Sequence, residues 1–95
     1  MEITEVRIAL IGNGKESVRA FASITFDHCF VVRNLKVTEK ENRFRIYMPD
    51  RKRKDGSTVD VAFPINNDMR KKIEIKILEK YEEELKKNIK NNLPS

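Results

Sequence analysis

The chain has no tryptophan, one cysteine, one histidine, three glycines and three prolines among its 95 residues. Each shortage removes a class of chemistry. One cysteine cannot form an internal disulfide, so a reducing, cytoplasmic setting is expected. One histidine and one cysteine fall short of the three or four ligands that zinc takes, so no metal and no cofactor is expected. His28 and Cys29 are also neighbours, and neighbours on an extended chain point to opposite faces, which spoils a nucleophile–base pair. Cys29 is expected as a small buried hydrophobe and His28 as a turn residue. Three glycines leave no glycine-rich cradle for phosphate. No apolar run approaches the ~20 residues of a membrane span, and no hydrophobic leader opens the chain. Catalysis has no visible equipment. The expectation is a protein that is not an enzyme, without a small-molecule substrate and without a membrane.

Positive charge is plentiful and local. Lysine and arginine number 20 against 15 acids, and the net charge is +5. Arg51, Lys52, Arg53 and Lys54 alone carry four of those five charges. Charge gathered at one place argues for a site more strongly than charge spread over a surface.

Hydrophobic periodicity outlines the rest. In residues 2–11 Thr4, Val6, Ile8 and Leu10 alternate with Glu5, Arg7 and Ala9, the pattern of a half-buried strand. Gly12 to Ser17 is a loop carrying an Asn-Gly hairpin signal. A second strand, Val18 to Phe26, sets Val18, Ala20, Ala22, Ile24 and Phe26 on its apolar face; the two alanines imply a bulky neighbour, a helix. After a turn at Asp27-His28, Phe30 to Val37 is a third strand whose alternation fails at Phe30-Val31-Val32 and at Asn34. An unbroken apolar run fits cover on both faces, from the same chain or from a partner. Thr38 to Arg43 reads as a polar loop. Phe44, Ile46 and Met48 point inward from a fourth strand that ends at Pro49. The cations at 51–54 then follow on a loop closed by Asp55-Gly56, and Thr58 to Phe63 is a short fifth strand. Asn67 is the expected N-cap of a helix carrying Met69, Ile73, Ile77, Leu78, Tyr81 and Leu85 on one stripe. The fold class is α+β: a small antiparallel sheet of about five strands with a C-terminal helix on one face. Residues 1–88 make one domain and 89–95 a frayed tail.

Two basic groups are candidates for phosphate contact. The first is the loop Arg51, Lys52, Arg53 and Lys54. The second is Arg70, Lys71 and Lys72 in the first helical turns, where cations oppose the helix dipole, an arrangement that suggests another use. Arg70, Lys71 and Asn67 are placed to hold a phosphate with the helix N-terminal amides. The plainer alternatives are a solvated loop, and lysines paired with Asp68 and Glu74. Both groups together would neutralise about 4–6 phosphates, for a log–log salt slope of about −4 to −5 on duplex DNA. Phe21 and Tyr47 lie on the polar sides of their strands. A dimer contact or a second packing layer accounts for them more simply than a stacking platform for bases.

Several blocks resemble one family. Met48-Pro49, Arg51-Lys52 and Asp55-Gly56 are similar to a segment of the bacterial stage V sporulation protein G family, also called septation protein G. Met1 to Ile8, Ala22 to Asp27, Cys29 to Val32 and Pro64-Ile65-Asn66 with Asp68 and Arg70 match in the same order, so the resemblance covers residues 1–82. Asp50 departs from the serine usual there, His28 from a second aspartate, and Phe63 from a histidine. The resemblance implies a small dimeric regulator of sporulation or septation that binds DNA and RNA without catalysis. Asp50 sets a negative charge beside the basic loop. The competing hypothesis is a non-catalytic module that binds an acidic protein surface or adds a strand at a sheet edge.

Overall fold

The computed structural model describes residues 1–11 and 17–92, with side chains described as far as Lys87. The expected Asn13-Gly14 turn lies outside that range. Four strands follow one another in a single antiparallel sheet: β1 (Ile3–Leu10), β2 (Val18–Phe26), β3 (Phe30–Lys40) and β4 (Arg43–Tyr47). Two more, β5 (Asp50–Lys52) and β6 (Thr58–Asp60), form a separate two-stranded hairpin. The helix α1 (Asn67–Asn92) closes the chain. It continues into the stretch expected to fray, and residues 93–95 lie outside the described range.

The sheet is a meander in spatial order β1-β2-β3-β4. Two of its links are tight. Asp27 and His28 both have positive φ, and the Cys29 amide donates to the Phe26 carbonyl at 3.0 Å. Glu41 and Asn42 repeat the positive pair at the β3–β4 link. Positive φ at both central residues matches the right-handed twist of the flanking strands. The polar stretch 38–43, read from sequence as a loop, is therefore mostly strand. Lys40 and Arg43 are outward residues of β3 and β4, Glu39 faces the helix side, and the turn, Glu41-Asn42, is only two residues long.

Ala20, Ala22, Ile24 and Phe26 of β2, Leu35 and Val37 of β3, and Ile46 and Met48 are buried with Ile73, Ile77 and Tyr81 of α1. The small alanines let the helix approach, and Ile77 is wholly enclosed. Phe44 is turned inward as expected but half-exposed, its ring meeting Tyr81 edge-on at 5.6 Å.

Two irregularities between β2 and β3 reset the alternation, and a third lies between Ile3 and Glu5 of β1. Between the pairs Ala22↔Leu35 and Ile24↔Val32, β3 has one residue more than β2, and Asn34 takes positive φ there. This bulge explains why Val32 and Leu35 both reach the core although an odd interval separates them. Phe30 and Val31 lie beyond the bulge and are exposed, so this chain's own parts do not cover that run on both faces. The second irregularity, between Val18 and Ala20, turns Arg19 to the helix side, where its Nε lies 3.4 Å from Glu39 Oε1. That ion pair is out of line for a hydrogen bond, which leaves Nε without an acceptor. Cys29 is a correction: it is exposed, because it completes the β2–β3 turn instead of entering the core.

The helix cap also moves by one residue. The Met69 amide donates to Asn66 Oδ1 at 2.8 Å, so Asn66 is the N-cap and Asn67 is the first helical residue. Further along, Lys80 pairs with Glu83 and Glu84, and Lys87 with Glu84, at 3.7–3.9 Å.

Candidate functional site

The four clustered cations do not sit on an irregular loop. Arg51 and Lys52 are strand residues of β5, paired with Val59 and Thr58, and only Arg53 and Lys54 belong to the turn. The ladder persists past β5, since the Arg53 amide donates to the Ser57 carbonyl at 2.7 Å. Gly56, at φ +91°, closes the tip with its amide on the Arg53 carbonyl at 3.0 Å. That backbone conformation suits glycine and strains any other residue. At the base, the Val61 amide donates to the carbonyl of buried Pro49 at 2.8 Å, which ties the hairpin to the body. Period-two alternation puts Lys52 on the face opposite Arg51. A flat ligand therefore meets half of the cluster at a time.

Three carboxylates share the hairpin with those cations. Asp50 and Asp60 are direct cross-strand partners at the base. Like charges so placed repel. Asp55 stands at the tip, where its Oδ1 accepts the Ser57 hydroxyl at 2.6 Å and the Ser57 amide at 3.0 Å. The hydroxyl bond foremost, then the amide bond, holds the Asp55 carboxyl below the ordinary aspartate range, so it is ionised at neutral pH beside the cations. Residues 50–60 thus carry four positive and three negative charges, a net of +1.

The helical triplet is divided in space. Arg70 is half-buried and lines a groove along the outer edge of β4 with Arg45, Tyr47, Asp60 and Glu74. Lys72, about 200° further around the helix, lies on the opposite flank near Met1, Glu2 and Ile3. Lys71 is exposed between them. Arg70 and the hairpin base form one neighbourhood, and Lys72 belongs to another. Asn67 has lost the capping role, and one free amide of the first turn is already taken by Asn66. Among the described residues none of these seven cations forms an ion pair, so Lys71 and Lys72 are not paired with Asp68 or Glu74.

Sequence reasoning missed Arg45, which shares the groove with Arg70. The signal was available: Arg43, Arg45 and Tyr47 recur at every second position of a strand whose other face holds Phe44 and Ile46.

An apolar cleft of about 140 Å³ opens at the far end of the sheet, lined by Phe26, Phe30, Val32, Met48, Phe63 and Met69 among others. Phe30 and Phe63 stand exposed at this cleft, and Ile65 nearby in the chain is 90% exposed. No group of three or more potential metal ligands occurs among the described residues, and no described helix is long and apolar enough to cross a membrane.

The SpoVG family model matches residues 1–83. Relatives from several bacteria carry the name "Putative septation protein SpoVG". The protein of Anaeromyxobacter sp. (strain K) is 48% identical over 87 residues, covering 92% of this chain and 84% of its own. That of Acetivibrio thermocellus is 49% identical over 82 residues, 86% of each chain. That of Bdellovibrio bacteriovorus is 44% identical over 86 residues, 90% of this chain and 78% of its own. With a family model spanning every described strand and about two thirds of the helix, and identities this high over most of both chains, the chain belongs to the SpoVG family.

Proposed function

We propose that the protein is a non-catalytic nucleic-acid-binding regulator of the septation type, acting in the cytoplasm. In this reading the hairpin cations Arg51, Lys52, Arg53 and Lys54, with Arg70 and Lys71 at the helix start, meet the phosphate backbone. The carrying observation is that these side chains lie at the surface without ion-pair partners. Lys72 serves a separate flank of the same polyanion. Contacts of this kind position a protein on nucleic acid and do not select a sequence. The relatives' shared name supports a role in septation.

We also infer a homodimer. Exposed Phe30 and Phe63 at one apolar cleft, with exposed Ile65 close by in the chain, make an apolar surface of the kind that a second copy covers. Two copies double the phosphate contacts, which offsets the modest charge of a single hairpin.

The test is fluorescence anisotropy with labelled duplex DNA at two salt concentrations. Binding is expected to weaken steeply with salt. Replacing Arg51, Lys52, Arg53 and Lys54 together by Gln should reduce the log–log salt slope by about 2 to 4 per protomer, the lower figure for contact through one face of the hairpin, while the melting temperature stays put. Salt-independent binding would mean that these cations do not meet the phosphates. No binding at low salt would remove the proposed function.

A further inference from the structure

We infer that the sheet face turned away from α1 is a second nucleic-acid site, one that takes unpaired bases. The inference rests on the polyanion reading above but uses different residues. Ala9, Phe21, Lys36 and Tyr47 pair in succession across β1, β2, β3 and β4, so they form one transverse row. Ala20 and Ala22, Leu35 and Val37, and Ile46 and Met48 are buried on the other side, which fixes this row as outward-facing. Phe21 is 42% and Tyr47 47% exposed, and no part of the described chain forms a second layer over them.

The two rings stand two strand spacings apart, about 10 Å. That is too far for them to pack on each other. Among the described residues the one aromatic pair is Phe44 with Tyr81, on the helix side. Each outward ring therefore offers a free π-face, and Lys36 rises between them. Strand alternation adds Lys40, Arg43 and Arg45 to the same face. The one carboxylate that alternation places there among the described strand residues is Glu5, which is ion-paired with Arg7. Exposed rings spaced for separate bases, set in an almost wholly cationic face, complement a single-stranded polynucleotide: bases stack and phosphates meet lysine and arginine. A neutral protein partner would use the rings but leave the cations unmatched, and an acidic one would meet the cations without supplying planar bases to stack.

The experiment compares a labelled uridine homopolymer, a thymidine homopolymer of the same length and a duplex, by anisotropy, with the full chain. Phe21→Ala and Tyr47→Ala should each weaken single-strand binding by about 5- to 150-fold and leave duplex binding within about twofold. Tyr47→Phe keeps the ring and should bind like the parent, which controls for loss of fold. The hairpin Gln variant should show the reverse pattern, losing duplex more than single strand. Preference for uridine over thymidine assigns RNA, and the reverse assigns DNA; either supports the platform. Aromatic variants that bind single strands normally, or lose both ligands equally, overturn it while the hairpin reading stands. Variants that turn a parent dimer into monomers in sedimentation also overturn it, because the face is then a contact between copies. A parent that binds neither ligand ends both readings.

Discussion

The hairpin of β5 and β6 and the outward face of the β1–β4 sheet are both basic, but they are built in opposite ways. The hairpin's four cations are consecutive, and Asp50, Asp55 and Asp60 fold back among them to leave +1. The sheet face gathers Arg7, Lys36, Lys40, Arg43 and Arg45 from three strands against Glu5, a net of +4. A run of charge in the chain is thus not a concentration of charge in space. The hairpin buries almost nothing and projects its cations singly, as suits backbone contacts that tolerate any sequence. The sheet face is held rigid by the core beneath it and sets rings and cations at fixed spacing. One is a charged arm and the other a surface.

The widest-reaching way to break this comparison is to remove the support the two regions share. Ile77 is fully enclosed between α1 and the sheet. Ile77→Asp is expected to cost at least about 4 kcal/mol through lost packing and a buried unpaired charge. Circular dichroism should then show no cooperative melt, and both binding surfaces should disappear together. A folded variant would place the helix stripe elsewhere.

A smaller change sharpens the contrast. Asp50→Ser with Asp60→Asn removes the opposed carboxylates and takes the hairpin from +1 to +3. Two like charges at contact distance are worth about 1 kcal/mol in water, so duplex affinity at low salt should rise up to about fivefold per carboxylate removed. Single-strand binding should move little. Unchanged duplex affinity would mean that the base of the hairpin does not approach phosphate.

The smallest expected effect concerns the body alone. Burial foremost, and the Glu39 carboxylate next, raise the Tyr81 phenol above its ordinary value of 10.0, while Arg19 acts in the opposite direction. The folded state therefore keeps this proton longer than the unfolded chain. The associated stability is fully present below pH 10 and is lost as pH rises through the folded value. Tyr81→Phe should flatten that alkaline decline, read as the difference between parent and variant melts from pH 8 upward, while duplex binding at neutral pH stays the same. A parallel decline in both proteins would exclude Tyr81 as its source.

Much of the core was legible in the sequence, because its signals were periodic. The face of β1 from Val6 onward and most of β2, the inward Ile46 and Met48, and the helix stripe at Ile73, Ile77 and Tyr81 follow from spacing alone, whereas a shift in β1 puts Ile3 rather than Thr4 against the core. The exceptions sit where one residue is added to a ladder. The bulge at Asn34 exchanges inside for outside, so Phe30-Val31 resembled a doubly covered strand when it is an exposed end. The irregularity at Arg19 likewise sends a cation to the side where alternation put Val18 outermost of the apolar row. Charged strands were the other blind spot. Lys40, Arg43 and Asp50–Lys52 carry polar side chains because their strands face water, and polarity alone does not separate such a strand from a loop. For the candidate site, the cations were visible one by one, but their neighbours were not. That Asp60 faces Asp50, or that Lys72 leaves Arg70 for the other flank, follows only from pairing and helical rotation.

The meander order of the sheet bears on how the chain reaches this state. Every strand of the sheet finds its partner in the next one along the chain, and a three-residue link at Asp27-His28-Cys29 and a two-residue turn at Glu41-Asn42 bring the last three together. Loop-closure entropy is small for such contacts, so the sheet can form early from local encounters. The helix comes last in sequence and supplies Ile73, Ile77 and Tyr81 to a hydrophobic face already laid down. Until it docks, that face is open to water, and on a ribosome the chain passes through this interval each time it is made. Docking of the long helix is then the event that ends the period of greatest exposure to misassociation.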